Sequence, residues 1–176
     1  MKIYFLRHAQ AESNVKKAVN DSLKRKINLT GLGKKQAQSV AKKLKIKKLD
    51  AIFSSQFPRC LQTAMIINRF HGLKIKKDKR LDEWDTGFDG KSYEELNEFL
   101  EKDRIKIKVK GHESFKDVQK RINSFMHWLE NQDYKIVLII THEASAQAIN
   151  AFIKKISAKE IFKKKIPNAK VFFTNL

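Results

Sequence analysis

The sequence predicts an α/β protein, a three-layer α/β/α sandwich with a mainly parallel central sheet. Short apolar runs typical of strands alternate along the chain with segments that have helical hydrophobic spacing. The strongest predicted strand, KIVLIIT at residues 135–141, is almost uninterrupted in its apolar character, as in a sheet covered on both faces. At 176 residues the chain has the size of one domain with its own core. We therefore expect a single domain over residues 1–176.

The first half of the chain contains the first predicted strands and helices. Residues 2–6 are predicted as a buried strand, followed by a polar loop. Thr30 then caps an amphipathic helix. The predicted inner side of this helix consists of Leu32, Ala37, Val40, Ala41 and Leu44. Residues 50–54 are predicted as a strand. Residues 58–70 are predicted as a helix with Pro58 in its first turn. Ala64 and Ile67 of this helix are predicted to face inward. Residues 73–76 are consistent with a further short strand.

The second half continues the same alternation after a loop at residues 81–90 that is rich in acids and glycine. Ser92 is predicted to cap a helix that runs to Leu100, with Glu95 in the capping-box position. A longer helix is predicted from Ser114 onward. Its apolar positions are Phe115, Val118, Ile122, Phe125, Met126 and Leu129. The strand at 135–141, a helix at about 144–155 and a strand at 170–174 complete the pattern.

The formal net charge of +19 raises the question of a polyanionic partner. Of the 38 basic residues, 31 are lysines, and their runs, the last of them at 163–165, are spread along the chain and not gathered in one tail. Arginine, which reads phosphate and base edges better than lysine, occurs seven times, and aromatic residues do not interleave with the basic runs. The charge therefore favours a solvated surface that steers anionic substrates, and it makes nucleic acid an unlikely partner.

Cysteine count and hydropathy indicate the compartment. The single cysteine, Cys60, excludes an internal disulfide and fits a reducing environment. No stretch approaches the roughly 18 apolar residues of a membrane span, and the first residues lack the layout of an export signal. We expect a cytoplasmic protein with no membrane partner, either a monomer or a homodimer.

Polar residues follow the carboxyl ends of the predicted strands, where open parallel sheets bind their ligands. Arg7 and His8 follow the first strand, and His142 follows the strand at 135–141. Arg59 lies just inside a helix N-terminus, where free N–H groups and the helix dipole favour an anion. Glu83 lies in the glycine-containing loop. Each residue alone also fits a structural or solvated role, but two histidines at equivalent strand ends, one beside an arginine, favour an anion site.

Five motifs in order along the chain resemble the histidine phosphatase, or phosphoglycerate mutase-like, superfamily. The opening R-H-G-x-x-x-x-N motif matches as Arg7, His8 and Asn14, with Ala9 where glycine is usual. The S-S-x-x-x-R-x-x-Q-T-A motif matches as Ser54, Ser55, Arg59, Gln62, Thr63 and Ala64. The acid loop is approximated by Leu81, Glu83, Gly87 and the FDG of residues 88–90, and G-E-S-F by GHESF at 111–115, with an additional His112. The closing S-H-G-G becomes Thr141, His142, Glu143 and Ala144, which is the clearest departure.

The resemblance implies a phosphoglycerate mutase-like fold and a hydrolase that acts on phosphomonoesters without a metal or other cofactor. His8 would attack phosphorus and form a phosphohistidine, its other ring nitrogen donating to a backbone carbonyl. Arg7, Arg59 and His142 would supply positive charge for the phosphoryl group, and the arginines would lower the pKa of His8. Glu83 would protonate the leaving alcohol and then activate water.

Two further residues bind the phosphate in this interpretation. Asn14 would donate hydrogen bonds to phosphate or substrate. Glu143 would offer its backbone N–H to the phosphate, which any residue except proline can do. Because an inward carboxylate would repel the substrate, we expect the Glu143 side chain to point outward or to restrict which substrates fit.

Several alternatives stay open at this point. The short chain favours hydrolysis over mutase action, and Glu83 favours a small alkyl phosphate, such as a sugar phosphate or an α-ribazole phosphate, over a phosphohistidine on a protein. A catalytically degenerate basic protein that binds polyanions, its site spoiled by Ala9 and Glu143, is the rival from another class. Four aromatic residues are candidates for either pocket lining or core, namely Phe57, Trp84, Phe88 and Tyr93.

Overall fold

The centre of the molecule is a sheet whose strands lie in the order β3-β2-β4-β1-β5. The computed structural model describes residues 1–162 and 165–176, so most of the lysine run at 163–165 lies outside the described residues. The strands are β1 (Lys2–Arg7), β2 (Ala51–Ser54), β3 (Ile75–Lys77), β4 (Ile136–Thr141) and β5 (Val171–Asn175). Only β5, an edge strand, runs antiparallel to its neighbour among these five strands. The prediction of a mainly parallel sheet is therefore confirmed.

Helices cover both faces of this sheet. They are α1 (Glu12–Val15), α2 (Gly31–Leu44), α3 (Pro58–Asn68), α4 (Tyr93–Leu100), α5 (Phe115–Glu130), α6 (Glu143–Lys154) and α7 (Ala158–Ile161). Alternate residues of β1 face opposite sides: Ile3 and Phe5 pack with α5 and α6, while Leu6 packs with α2 and α3. The result is three layers with an apolar cluster on each side of the sheet. Within the part of the chain that the structure describes, no helix has both the length and the apolar character needed to cross a membrane.

Helix α2 begins as predicted, because the Thr30 side chain accepts a hydrogen bond from the Gly33 backbone N–H at 3.0 Å. The prediction that Leu32 lies on the inner side is wrong, since this residue is 53% exposed. The buried stripe instead starts at Gly33 and continues through Ala37, one residue later on the helix. A Cβ atom on Gly33 would lie 2.0 Å from the backbone oxygen of Gln10, so the helix contacts the segment after His8 directly.

Other boundaries differ by a few residues for local reasons. Helix α3 ends at Asn68, two residues before the predicted end, and β3 begins at Ile75. Both shifts follow from Asn68, whose side chain accepts from the Leu73 N–H at 2.9 Å and donates to the Leu73 oxygen at 2.6 Å. These bonds turn the chain and take Leu73 out of the sheet. Helices α1 and α7 lie where no helix was predicted, and β5 lies one residue later than predicted.

The capping prediction for α4 is confirmed. Ser92 and Glu95 form the capping box of α4, and Ser114 forms a second box at the start of α5. Between β3 and α4 a single 3-10 turn, Lys79–Leu81, leads into the acid loop. This turn places the loop beside the carboxyl ends of the strands.

Candidate active site

The two histidines that follow strands lie at one edge of the sheet. Strands β1 and β4 are parallel neighbours in which Arg7 pairs with Thr141, so the next residue of each strand leaves the sheet at the same level. The ring centroids of His8 and His142 are 5.3 Å apart, and the residues are only 2% and 0% exposed. The register of the sheet therefore brings together two imidazoles that are far apart in sequence.

The imidazole of His8 has a defined tautomer. Its Nδ1 lies 2.7 Å from the backbone oxygen of Ala9, and a carbonyl oxygen only accepts, so Nδ1 carries the proton. The lone pair of Nε2 accepts a hydrogen bond from Arg59 Nε at 3.0 Å. Burial, followed by the positive charges of Arg59, His142 and Arg7, lowers the pKa of His8 well below its ordinary value. His8 is therefore neutral at physiological pH, with Nε2 available as a nucleophile.

Arg59 connects the members of the site. It is the second residue of α3 and is 2% exposed, with its guanidinium carbon 4.6 Å from the centre of the Phe57 ring. Besides its bond to His8, it donates from Nη2 to His142 Nδ1 at 3.0 Å and to Glu83 Oε2 at 3.5 Å. Asn20 holds the outer end of the guanidinium, because its Oδ1 accepts from Nη1 at 2.5 Å and its backbone oxygen from Nη2 at 2.9 Å.

Glu83 lies beside the second histidine. Its Oε2 is 3.3 Å from His142 Nδ1, and its backbone oxygen accepts from Arg121 Nη2 at 3.0 Å. Burial by itself would raise the pKa of Glu83, but His142 and Arg59 outweigh burial and lower it. Burial and then Arg59 lower the pKa of His142, although Glu83 acts in the opposite direction. In the protein alone we therefore expect an ionised Glu83 and a neutral His142 at physiological pH.

Arg7 directly precedes His8, and its charge is one of those that lower the pKa of His8. Its Nη1 donates to Glu143 Oε2 at 2.6 Å and to the Ile166 backbone oxygen at 3.0 Å. Its Nε is buried and has no hydrogen-bond partner among the described residues. The first alternative expected for Glu143, an outward side chain, is wrong, because its Oε1 also accepts from the Ile166 N–H at 3.2 Å. The second alternative, that Glu143 restricts which substrates fit, stays a prediction. The carboxylate turns inward because Arg7 offers it an ion pair that solvent does not.

Asn14 lies near the site but makes structural hydrogen bonds. Its Oδ1 accepts from the Ala11 N–H at 2.9 Å, and its Nδ2 donates to the Tyr93 hydroxyl at 3.4 Å. Asn168 supports the same segment by donating to the backbone oxygen of His8 at 2.9 Å. The predicted role of Asn14 in phosphate binding stays a prediction.

The four candidate aromatic residues divide between the site and the core. Phe57 packs edge-on against His142 with ring centroids 5.0 Å apart. Trp84 is 7% exposed and packs on Phe115 in the core. Phe88 contacts Phe99, while the Tyr93 hydroxyl accepts from Asn14 Nδ2 at 3.4 Å.

Sequence reasoning did not identify the residues whose hydrogen bonds position the site residues. Ser55 belongs to the second motif, but no role was predicted for it. Its hydroxyl lies 2.7 Å from Asp82 Oδ1 and 2.8 Å from His142 Nε2. Asn20, in a polar loop, and Arg121, on α5, had no signal in the sequence that could have identified them. They act through contacts between segments that are distant in the chain.

The arrangement suits an anion better than a cation. One ligating atom each from His8, Glu83 and His142 lies within 4.8 Å of the others, a spacing that also fits a metal ion. However, the guanidinium of Arg59 donates to both imidazoles and would repel a cation in that position. The Arg59 guanidinium, bonded to the imidazoles of both His8 and His142, gives an arrangement that suits a tetrahedral oxyanion.

Comparison with known proteins agrees with this geometry. Residues 3–174 match the family described as "Histidine phosphatase superfamily (branch 1)". The chain is 30% identical to a protein of Hydrogenobacter thermophilus named "Putative phosphoserine phosphatase 2", over 96% of this chain and 86% of that protein. It is 28% identical to "Phosphoserine phosphatase 1" of the same organism, over 85% of this chain and 74% of that protein.

A solved structure shows the same fold. The alpha-ribazole phosphatase from Shigella flexneri superimposes with a TM-score of 0.91 at 19% identity, covering 100% of this chain and 91% of that one. At this identity the likeness concerns the fold alone. The family match, which spans nearly the whole chain, confirms the resemblance found in the five motifs. The chain belongs to the histidine phosphatase superfamily, branch 1, and it is a phosphatase of that family.

Proposed function

We propose that the protein hydrolyses small phosphomonoesters through a phosphohistidine on His8, without a metal ion. The observation that carries this proposal is the state of His8, whose Nδ1 proton is directed to the Ala9 oxygen while Nε2 faces Arg59. A neutral imidazole with one fixed proton is a nucleophile at its other nitrogen. In this mechanism Arg7, Arg59 and His142 neutralise the phosphoryl oxygens.

The reaction proceeds in two displacements. His8 Nε2 attacks phosphorus, the bond from phosphorus to the leaving oxygen breaks, and Arg59 Nε transfers its hydrogen bond from Nε2 to a phosphoryl oxygen. Glu83 gives its proton to the leaving alkoxide. Glu83 then accepts a proton from water, which attacks phosphorus and releases inorganic phosphate and neutral His8.

Glu83 needs a proton to act as an acid, although its pKa is lowered in the protein without substrate. A bound phosphoryl dianion reverses this situation, because its negative charge lies beside the carboxylate and takes over the hydrogen bond that Arg59 donates to Glu83. The proton is therefore taken up when the substrate binds. This role fits an alkoxide leaving group, which needs protonation, better than an imidazole leaving group.

The substrate class follows from this preference. We propose a small phosphorylated metabolite with an alkyl leaving group, a sugar phosphate or an α-ribazole phosphate-like ester, and we add phosphoserine because two relatives carry that name. The positive charge of the surface would steer such anions toward the protein.

The test is hydrolysis in EDTA of a panel that contains p-nitrophenyl phosphate, phosphoserine, sugar phosphates, α-ribazole phosphate and 3-phosphoglycerate. We expect release of phosphate that is lost in His8→Ala and retained in His127→Ala, an exposed histidine paired with Glu130. Acid-labile, alkali-stable labelling of the wild type by a radioactive substrate would identify the phosphohistidine. Salt-sensitive nucleic-acid binding without turnover would support the degenerate polyanion-binding protein instead.

A further inference from the structure

Two buried side chains contact Nε2 of His142, and each directs its own proton elsewhere. The Ser55 hydroxyl oxygen is 2.8 Å from Nε2, and the Cys60 sulfur is 3.4 Å from it. His142, Ser55 and Cys60 are all 0% exposed. Because solvent is excluded, the directions of the hydrogen bonds here depend on the protein alone.

The proton of Ser55 points to Asp82. The hydroxyl lies 2.7 Å from Asp82 Oδ1, which also accepts from the Gln56 N–H at 2.8 Å, while Oδ2 accepts from Gln56 Nε2 at 3.0 Å. These contacts all require an acceptor, as an ionised carboxylate provides. Because the single hydroxyl proton of Ser55 is used in the bond to Asp82, its oxygen can only accept from its other neighbours, the Phe57 N–H at 3.3 Å and Nε2.

The contacts of Cys60 lead to the same conclusion about Nε2. Its sulfur lies 3.5 Å from the backbone oxygen of Thr141, which can only accept, so the S–H proton is directed there. Burial raises the pKa of the Cys60 thiol, so the proton stays on sulfur. Both neighbours of Nε2 therefore present lone pairs, and Nε2 must carry a hydrogen.

We propose that Asp82 and Ser55 are positioning residues that hold His142 in its Nε2–H tautomer and so reserve Nδ1 for the phosphoryl group. In the structure Nδ1 accepts from Arg59 Nη2 at 3.0 Å. The part of this inference that concerns the phosphoryl group rests on the proposed function, whereas the tautomer does not.

A consequence follows for anion binding. A phosphoryl oxygen only accepts hydrogen bonds, so Nδ1 can contact it only after taking up a proton, which makes His142 an imidazolium ion. Glu83 Oε2, 3.3 Å from Nδ1, favours this proton as long as the carboxylate is ionised. The positive charges of Arg59 and Arg121 oppose it, as does the neighbouring His8 if that ring is charged. The phosphate dianion adds a strong favourable charge, so binding should be accompanied by proton uptake.

The direct measurement is ¹⁵N NMR of the full-length protein labelled on its histidine side chains. Signals of His142 are identified by their loss in His142→Gln. Without phosphate we expect a protonated Nε2 and an unprotonated Nδ1 for His142, and with saturating inorganic phosphate we expect both nitrogens to be protonated.

Two variants test the role of Asp82. In Asp82→Ala the Ser55 proton is free to turn toward Nε2, so the Nδ1–H tautomer of His142 should appear. We expect kcat/KM to fall by about 10- to 100-fold, as when the hydrogen-bond partner of a metal-bound histidine is lost. Asp82→Asn keeps a carbonyl acceptor for Ser55 and should restore both the tautomer and most of the activity. Thermal unfolding shows whether each variant is folded.

A wild-type spectrum with the proton of His142 on Nδ1 overturns the inference even if Asp82→Ala does not fold. An Asp82→Ala protein that keeps both the tautomer and kcat/KM also overturns it. If the wild type shows the expected tautomer but hydrolyses no phosphomonoester, the positioning stands and the proposed function fails, so the two failures are distinguishable.

Discussion

Arg7 and Glu143 are separated by 136 residues and form an ion pair in which Nη1 lies 2.6 Å from Oε2. Arg7 is the last residue of β1, and Glu143 is the first residue of α6. The pair places a negative charge next to a side chain that we propose binds phosphate. Glu143 therefore reduces the positive potential of the site and, at the same time, fixes the orientation of the guanidinium.

Replacement of Glu143 by glutamine should strengthen inhibition by inorganic phosphate. Glutamine keeps an acceptor for Arg7 but removes the negative charge, so the dianion meets a more positive site. Ion pairs with this degree of exposure are worth about 1 kcal/mol, which corresponds to a roughly fivefold lower inhibition constant. Competitive inhibition measured at constant pH and ionic strength tests this, and an unchanged or higher constant would contradict it.

Glu83→Gln should slow the hydrolysis of alkyl phosphates far more than that of aryl phosphates. Glutamine preserves the size of the side chain beside His142 but cannot supply a proton to the leaving oxygen. Loss of a general acid costs about 10²–10⁴-fold for a leaving group that needs protonation. The measurement is kcat/KM for phosphoserine and for p-nitrophenyl phosphate in the same preparation. Equal losses on both substrates would remove Glu83 from the acid role.

Asn20 variants should separate stability from substrate binding. Asn20→Ala leaves the buried Nη1 of Arg59 without its partner at 2.5 Å, so it should destabilise the fold by about 1–3 kcal/mol and lower kcat/KM. Asn20→Asp keeps an acceptor and adds a negative charge near the site. We expect it to retain thermal stability and to raise KM. If both variants behave alike in KM and in melting temperature, Asn20 does not hold Arg59 in this way.

Acidification should destabilise the free protein between about pH 6.5 and pH 5. The pKa values of His8 and His142 are lowered in the folded state, so the unfolded chain binds protons first. The stability that these histidines contribute is complete above the unfolded pKa of about 6.5 and is lost as pH falls toward their folded pKa values. Each contributes a slope of up to about 1.4 kcal/mol per pH unit.

The slope can be assigned by comparing variants in denaturant unfolding. His142→Gln should lower the pH slope of the unfolding free energy by up to the contribution of one proton, about 1.4 kcal/mol per pH unit. His127→Gln, which changes an exposed histidine, should leave the slope unchanged. His71, whose pKa burial also lowers, acts in the same direction and is present in every variant. A slope that His142→Gln does not alter would show that this histidine is not protonated on unfolding.

The helices and strands were largely predictable because their signals are local. Thr30, Ser92 and Ser114 each cap the helix that follows them, and the apolar spacing of α5 matches its buried face. The Leu32 prediction failed because the inner stripe passes through Gly33, and a glycine gives no hydrophobic signal. The close contact that requires this glycine is made with Gln10, a residue that periodicity cannot identify.

The site was predictable where residues follow strands and fall in motifs, and not where distant segments meet. His8, His142, Arg59 and Glu83 converge as expected. Two hydrogen bonds could not be predicted because they depend on how loops lie across the sheet. Arg59 donates one of them to Asn20, and Ser55 donates the other to Asp82. The orientation of Glu143 was misjudged because the repulsion expected from substrate was considered without the attraction of Arg7.

The close approach of Gly33 to Gln10 has a practical meaning for engineering this protein. A search for thermostabilising replacements would consider both glycines in the first turn of α2, since alanine restricts the unfolded chain. Position 31 has open space around it and can accept the change. Position 33 cannot, since any larger side chain would displace the segment that follows His8, so a randomised library should leave it constant.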